Sequence, residues 1–510
     1  MNTNDFSALE KQITAGGKVP VPEFLTKWLS RWKRLYIDGA WRDGTSGETF
    51  PTINPATGEE LSEICVAVKP DVELAVQGAR RAFDKGDWRQ MSVVQRAEVL
   101  RKIAERILAH RAPLAILESL DTGKPIRESF DGDVPRAAKN FLFFADQAAG
   151  FGDRTFESEG YRHQVIREPL GVVALITPWN LPLYLETWKL APALLMGNSV
   201  ILKPSELTPL TATYLGEIIE GLLPPGVFNL LHGFGEAAVG EFLTSNPGVD
   251  AISFTGETST GRAIMKAAAA GPTRVSFELG GKGASIVFAD APWESVLTES
   301  VRGAFRNQGE ICLANSRIYV ERSRYPEFLA ALVERTARIK VGDPLDYHTE
   351  MGALISEGHL NKVKGYLEKV FDPGRIDVGG KTPAHCSPKG FFLEPTVISE
   401  VDQAHSVTRE EIFGPVVSVY PFDDEATVTA WANATPYGLS ASVWTADAAK
   451  AKRVATALRS GLVWVNSWFV RDLRVPFGGQ KRSGLGREGG DYSLSFFSDY
   501  KSICMKDDMT

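Results

Sequence analysis

The chain has 510 residues, 44% of them hydrophobic and 23% charged, an ordinary globular composition with length enough for two or three domains and a large core. Lys plus Arg number 56 against 63 Asp plus Glu, a net of −7, which argues against nucleic acid or an anionic membrane surface and leaves small molecules as the expected partners. Cys65, Cys312, Cys386 and Cys504 stand far apart without CxxC or histidine pairing, so no metal site and no disulfide framework is signalled, and a reducing, cytoplasmic setting is expected.

No window approaches the ~20 uninterrupted apolar residues of a spanning helix, and Asp5 and Glu10 stand where an export signal would carry basic residues. Residues 1–22 are polar and Gly/Pro-punctuated. The stretch 23–35 sets Phe24, Leu25, Trp28, Leu29, Trp32 and Leu35 opposite Lys27, Arg31, Lys33 and Arg34, which predicts a basic amphipathic helix docked on its own protein or a neighbouring subunit, a partner or membrane surface being the alternative. Short strands follow from Tyr36, then helices over 72–85 and 93–109. At 133–136 the sequence DVPR opens another helix, with Asp133 expected to cap it and Arg136 near its start as a candidate anion clamp.

Between Gly171 and Gly281 apolar strands alternate with helices, which predicts a parallel sheet whose strands end in Gly, Pro, Thr or Asn. Doubly wound sheets bind dinucleotides at such carboxyl ends, so this half is the expected nucleotide site. No GxGxxG follows the first strand, and Gly233, Gly235 and Gly240 have the wrong spacing for one. A second alternating segment runs from Ala284 to about Arg482, and the terminal stretch LSFFSDYKSICMKD (494–507) reads as a strand able to pair across subunits. The fold class is therefore α/β, with a dinucleotide-binding parallel-sheet domain, a second α/β domain and a small β element.

Cys312 sits in NQGEICLANSR (307–317), after a Gly-containing turn at the second segment's first helix-to-strand junction. A nucleophilic thiolate needs an exposed bend, a proton acceptor and donors for the oxyanion it creates; a buried, inert cysteine is the alternative at this stage. Candidate companions are TPWN (177–180) and FELGGK (277–282). Together with KPSE (203–206), FTGETSTG (254–261), EEIFGPV (410–416) and PFGGQKRSGLGRE (476–488), these motifs resemble, in one order, the aldehyde dehydrogenase family, from about Tyr36 to the C-terminus.

The resemblance implies that Cys312 attacks an aldehyde carbon and that Asn180 and the Cys312 backbone N–H receive the oxyanion. It further implies that Glu278 activates the water that hydrolyses the thioester, with Lys189 and Glu488 completing a proton path. It assigns Lys203 and Glu206 to the adenine ribose, where a carboxylate favours NAD over NADP. Glu411 and Phe413 go to the nicotinamide ribose and ring, and Thr177, Pro178, Trp179 and Gly256 to the remaining cofactor contacts. Two positions depart from the commoner family pattern: Glu257 stands where Ser is usual and Glu310 where Gln is usual. The implied domains are 36–150 with 171–280 for NAD and 281–482 for catalysis, with 151–170 and 489–510 as strands joining a homodimer or homotetramer and 1–35 outside the resemblance.

The stretches WVNSWFVRDLRVPFGG (464–479) and VPRAAKNFLFFAD (134–146) resemble the 2-hydroxymuconic and 2-aminomuconic semialdehyde dehydrogenases more than the betaine, succinic semialdehyde or acetaldehyde types. Arg136, Arg471 and Arg474 are then expected to fork onto a substrate carboxylate, unless Arg471 pairs with Asp472. The alternative within enzymes is a broad-specificity enzyme for neutral aldehydes. A non-catalytic member of the fold, or a dinucleotide-binding interaction protein, is expected to lack Cys312 or Glu278.

Overall fold

The computed structural model describes residues 3–150, 152, 154–370 and 374–506. The alternation after Gly171 forms an eight-stranded sheet in the order Gly484–Leu485, Arg274–Glu278, Ala251–Thr255, Val172–Ile176, Ser199–Lys203, Phe228–Leu230, Leu35–Ile37, Ala40–Arg42. The five strands from Arg274–Glu278 to Phe228–Leu230 are parallel, and antiparallel pieces close both edges. The inner strands are buried at every position, as their unbroken apolar runs require when helices cover both faces. The chain steps from Val172–Ile176 to one side through two strands, then returns to the other side at Ala251–Thr255. That reversal is a topological switch point, and the segments leaving its two strands are TPWN and Gly256-Glu257.

The second segment forms a seven-stranded sheet, Arg375–Val378, Thr396–Ser399, Val416–Phe422, Arg317–Glu321, Ala284–Val287, Ser440–Trp444, Leu462–Val465, parallel except for Arg375–Val378. Gly280 to Gly283 lead into Ala284–Val287, Cys312 precedes Arg317–Glu321, and Glu411 precedes Val416–Phe422. The amino ends of this sheet thus supply the Cys312 and Glu411 loops, while the carboxyl ends of the first sheet supply TPWN and Glu278. A third, antiparallel sheet joins Arg154–Ser158, Tyr161–Pro169 and Ser498–Lys506 and leaves Arg154–Ser158 wholly exposed.

One segment without a predicted element proves helical, and three local expectations are corrected. Residues Thr3–Thr14 form a helix, because Phe6, Leu9 and Ile13 recur at helical spacing and bury. The helix expected over 23–35 ends at Leu29: the Lys33 ammonium folds back onto the carbonyls of Trp28 and Arg31, and Leu35 already begins a strand. Its face docks on the same chain through Leu25, Trp28 and Leu29, with the Trp28 indole donating to Glu217 (2.8 Å), whereas Trp32 stays exposed. Asp133 does not cap. Ser129–Asp133 form a wide helical turn continuous with Val134–Gln147, and the Asp133 carboxylate instead meets buried Lys124 at 2.8 Å. Finally, Leu494 and Phe496 belong to the helix Gly490–Phe496, whose buried Leu494 anchors it before the strand starts at Ser498. Positions 507–510 of the expected terminal segment, and residues 1–2, 151 and 153, lie outside the described residues. Among the described residues no helix is long and apolar enough to cross a membrane, and no cluster of His, Cys, Asp and Glu is arranged to hold a metal ion.

Candidate active site

A cavity of about 390 Å³ opens where the carboxyl ends of the first sheet meet the amino ends of the second. Pro178, Trp179, Asn180, Gly256, Glu278 and Cys312 line it, as do Glu411, Phe413, Arg471 and Glu488. Six other residues singled out in the sequence, Thr177, Lys189, Lys203, Glu206, Arg136 and Arg474, stand outside that lining.

The helix Trp293–Phe305 gives way to Asn307, Gln308 and Gly309, all with positive φ (49°, 56° and 70°). Gly309 is required there, since a Cβ would collide with the Gly414 carbonyl. This left-handed turn delivers Cys312 to the cavity wall, partly exposed. Burial pushes its thiol up, Glu411 and Glu278 push it further, and Arg471 and the Cys312 backbone N–H oppose the rise. The resting group is therefore a thiol, and attack requires a base. Asn180 is oriented by its amide donating to the Glu310 carbonyl at 2.8 Å, which leaves its second N–H for an oxyanion beside Cys312.

Glu278 ends the strand Arg274–Glu278 and is 4% exposed, with neither carboxylate oxygen hydrogen-bonded to protein. Burial holds its carboxyl well above the ordinary carboxylate range and Glu488 adds to this, while Lys189 and Arg471 oppose it. Glu488 has opposite surroundings: Lys189 Nζ reaches Oε1 at 2.7 Å and the Trp188 indole donates to Oε2 at 2.8 Å. Lys189 also donates to Ser253 Oγ (2.9 Å), so it acts behind the wall, through Glu488. Two neighbouring carboxyls with unequal partners are the arrangement that separates a proton-exchanging group from a fixed charge.

Glu411 accepts from the Gly281 N–H at 2.7 Å, and burial pushes its carboxyl up to about 7. Gly280 permits this approach, because a Cβ there would overlap the Glu411 carboxylate. Phe413 (φ 60°) packs edge-on to Trp179 at 5.3 Å, and its carbonyl meets His359 Nε2 at 2.6 Å. His359, Lys362 and the aromatic residues Tyr184, Phe469 and Phe477 also line the cavity and were not foreseen. The only trace of His359 in the sequence is Ser356 three residues earlier, which caps the helix Glu357–Leu367. Lys203 is buried at the end of Ser199–Lys203, donates to the Pro204 carbonyl (3.0 Å) and lies 3.8 Å from Glu206.

The loop after Leu462–Val465 runs back to the cavity, pinned by the Trp468 indole on the Leu313 carbonyl (2.9 Å). Arg471 stacks over Phe477 (3.9 Å) and Trp188 (5.3 Å), with Nη2 buried and unpartnered. Arg136 donates from Nε to Asn140 (3.0 Å) and lies over Tyr184 (4.9 Å) and Trp188 (5.9 Å), and its Nη2 is also buried and unpartnered. Burial, with Arg471 nearby, pushes Arg136 down. Of the three arginines expected to form a clamp, only Arg471 lines the cavity. Arg474 points to solvent and pairs with Asp472 (Nη2 to Oδ2, 2.5 Å), taking the partner considered for Arg471 because the turn at 472–475 brings Asp472 and Arg474 together.

Residues 41–503 match the profile of the Aldehyde dehydrogenase family. The chain belongs to that family. It is 46% identical over 481 residues to a 2-hydroxymuconic semialdehyde dehydrogenase of Pseudomonas sp. (strain CF600), covering 92% of this chain and 99% of that one. It is 44% identical over 489 residues to a 2-aminomuconic 6-semialdehyde dehydrogenase of Pseudomonas sp, covering 93% and 98%. Among solved structures, a betaine aldehyde dehydrogenase from Staphylococcus aureus in complex with NAD+ superposes with a TM-score of 0.92 at 40% identity, covering 95% and 96%. An aldehyde dehydrogenase is thus an oxidoreductase built, here, around one cysteine, one unpartnered carboxyl and one oriented amide in a single cavity.

Proposed function

We propose that this enzyme oxidises a semialdehyde carrying a remote carboxylate, of the 2-hydroxymuconic or 2-aminomuconic class, to the corresponding acid with NAD as the oxidant. The observation that carries the substrate reading is half-buried Arg471 on the cavity wall with a buried, unpartnered Nη2, beside half-buried Arg136, which lies over the same Trp188 ring and carries another. A buried guanidinium N–H without an acceptor is costly unless a ligand supplies one. The curated relatives named for muconic semialdehydes agree with this reading.

The residues present suit a dinucleotide. The crevice lies at the switch point, Trp179, Gly256 and Phe413 wall it, and Glu411 offers a buried carboxylate for a ribose hydroxyl. Lys203 and Glu206 are assigned to the adenine ribose and Thr177 and Pro178 to the adjoining wall; a carboxylate at Glu206 opposes a 2′-phosphate. When bound, NAD supplies the hydride acceptor. Glu278 takes the Cys312 proton as sulfur adds to the aldehyde carbon, and the resulting oxyanion rests between the free N–H of Asn180 and the Cys312 backbone N–H. Loss of hydride leaves a thioester on Cys312. Glu278 passes the first proton outward through Glu488 and Lys189, and, deprotonated again, removes a proton from the attacking water, which leaves by the same path.

We assign dinucleotide binding to 36–150 and 171–280 and the chemistry to 281–482. The strands Arg154–Ser158, Tyr161–Pro169 and Ser498–Lys506, the first of them wholly exposed, are assigned to subunit contacts in a homodimer or homotetramer, and the location to the cytoplasm. Steady-state kinetics of two variants test the substrate reading. Arg471→Ala is expected to raise KM for an acidic semialdehyde about 100-fold, the loss of a desolvated charge pair, and to change KM for hexanal less than about threefold. Arg474→Ala is expected to leave both within about threefold, its partner being exposed Asp472. Equal effects of Arg471→Ala on the two aldehydes would favour a broad-specificity enzyme for neutral substrates.

A further inference from the structure

Glu310 stands two residues before Cys312 and is 1% exposed without lining the cavity. Two other wall segments, 177–180 and 355–359, nevertheless meet on it. Its backbone carbonyl accepts from the side-chain amides of Asn180 (2.8 Å) and Asn307 (3.2 Å), which fixes the oxyanion donor. Its side chain reaches the opposite wall: Oε1 accepts from the Ile355 N–H at 3.1 Å and lies 3.6 Å from His359 Nε2, and Oε2 is 3.4 Å from Gln308 Nε2. His359 continues the chain of contacts. A carbonyl only accepts, so the 2.6 Å contact between His359 Nε2 and the Phe413 carbonyl places the imidazole proton on Nε2. The His359 ring also packs against Trp179 (5.3 Å).

We propose that Glu310 and His359 form a positioning pair that holds the Cys312–Asn180 side of the cavity in register with the loop carrying Glu411 and Phe413. No other side chain reaches both the segment at 355–359 and, through its own backbone, Asn180 among the hydrogen bonds of the described residues. Burial holds the Glu310 carboxyl well above its ordinary range and pushes His359 down to about 4. Glu310 Oε1 is committed to the Ile355 N–H and the His359 Nε2 proton to the Phe413 carbonyl, so the two act through the segment 355–359 they share rather than through a bond to each other.

The test compares Glu310→Gln, Glu310→Ala, His359→Ala and the Glu310→Ala/His359→Ala double variant. The readouts are Kd for NAD+ by quenching of tryptophan fluorescence and kcat with hexanal, which bypasses the semialdehyde reading. The inference rests on the dinucleotide binding beside Glu411 and Phe413, which saturable quenching of the wild-type protein checks by itself. Glu310→Gln is expected to keep both quantities within about threefold. Glu310→Ala is expected to raise Kd and lower kcat together, each about tenfold, as for one buried hydrogen bond. His359→Ala is expected to do the same, and the double variant to fall well short of the product of the two. Unchanged Kd in Glu310→Ala, strictly multiplicative losses, or a Glu310→Gln as damaged as Glu310→Ala would each overturn the proposal. Should Glu310→Ala fail to fold, Glu310→Asp, which keeps the acid and shortens its reach, is expected to give the same joint change, and a Kd equal to wild type would overturn it.

Discussion

Glu278 and Glu488 line one cavity and are treated oppositely by their neighbours, Glu278 without a hydrogen bond and Glu488 with both oxygens engaged. A base acts only when deprotonated, and Glu278 is held above the ordinary carboxylate range. The rate of thioester hydrolysis should therefore rise with pH through an inflection above ~4.3, the unperturbed glutamate value, rather than at it. Glu278→Gln is expected to remove that inflection and to lower kcat about 10²- to 10⁴-fold; a kcat–pH profile that keeps the inflection contradicts the assignment. Asn180→Ala removes one oxyanion donor and is expected to cost about 10²- to 10³-fold in kcat with little change in Kd for NAD+. Cys312, Glu278 and Asn180 were legible because each lies in a motif with a defined chemical task. Arg471 and Arg474 were not separable, since they stand three residues apart in an irregular loop with no periodicity to say which one faces inward. Asp472 beside them decides it by pairing with Arg474.

At the scale of elements, the cofactor side depends on close backbone approaches that only glycine permits. A methyl group on Gly280 would overlap the Glu411 carboxylate, so Gly280→Ala is expected to weaken NAD+ binding about tenfold or more while the folded sheet persists, read by fluorescence titration and circular dichroism. The strands around this loop could be read from the sequence because strands buried on both faces are continuous apolar runs bounded by Gly, Pro, Thr or Asn. Helix ends were less legible. The basic helix stops at Leu29 because the Lys33 side chain satisfies the last carbonyls, and Asp133 abandons its capping role for Lys124, a partner nine residues away that no local pattern reveals. The hydrogen bonding of Glu310 to Ile355, 45 residues on, is likewise a tertiary fact.

For the whole molecule, two largely parallel sheets meet end to end, carboxyl ends against amino ends, and leave their chemistry at the meeting line, an arrangement read in outline from two runs of strand–helix alternation. The N-terminal segment belongs to the same core: Phe6, Leu9 and Ile13 are buried with the helices beneath the first sheet. Removing residues 1–22 is therefore expected to lower stability by about 3 kcal/mol after the ordering entropy is returned, and to leave kcat per folded molecule unchanged; thermal unfolding and active-site titration check the two halves of that statement. The central claim is that this cavity selects an aldehyde bearing a carboxylate. It is tested most directly by kcat/KM of the unmodified enzyme, at saturating NAD, for 2-hydroxymuconic semialdehyde and for hexanal. Arg471, facing the cavity with a buried, unpartnered Nη2, predicts a preference of about 100-fold or more for the semialdehyde, and comparable values would contradict the claim.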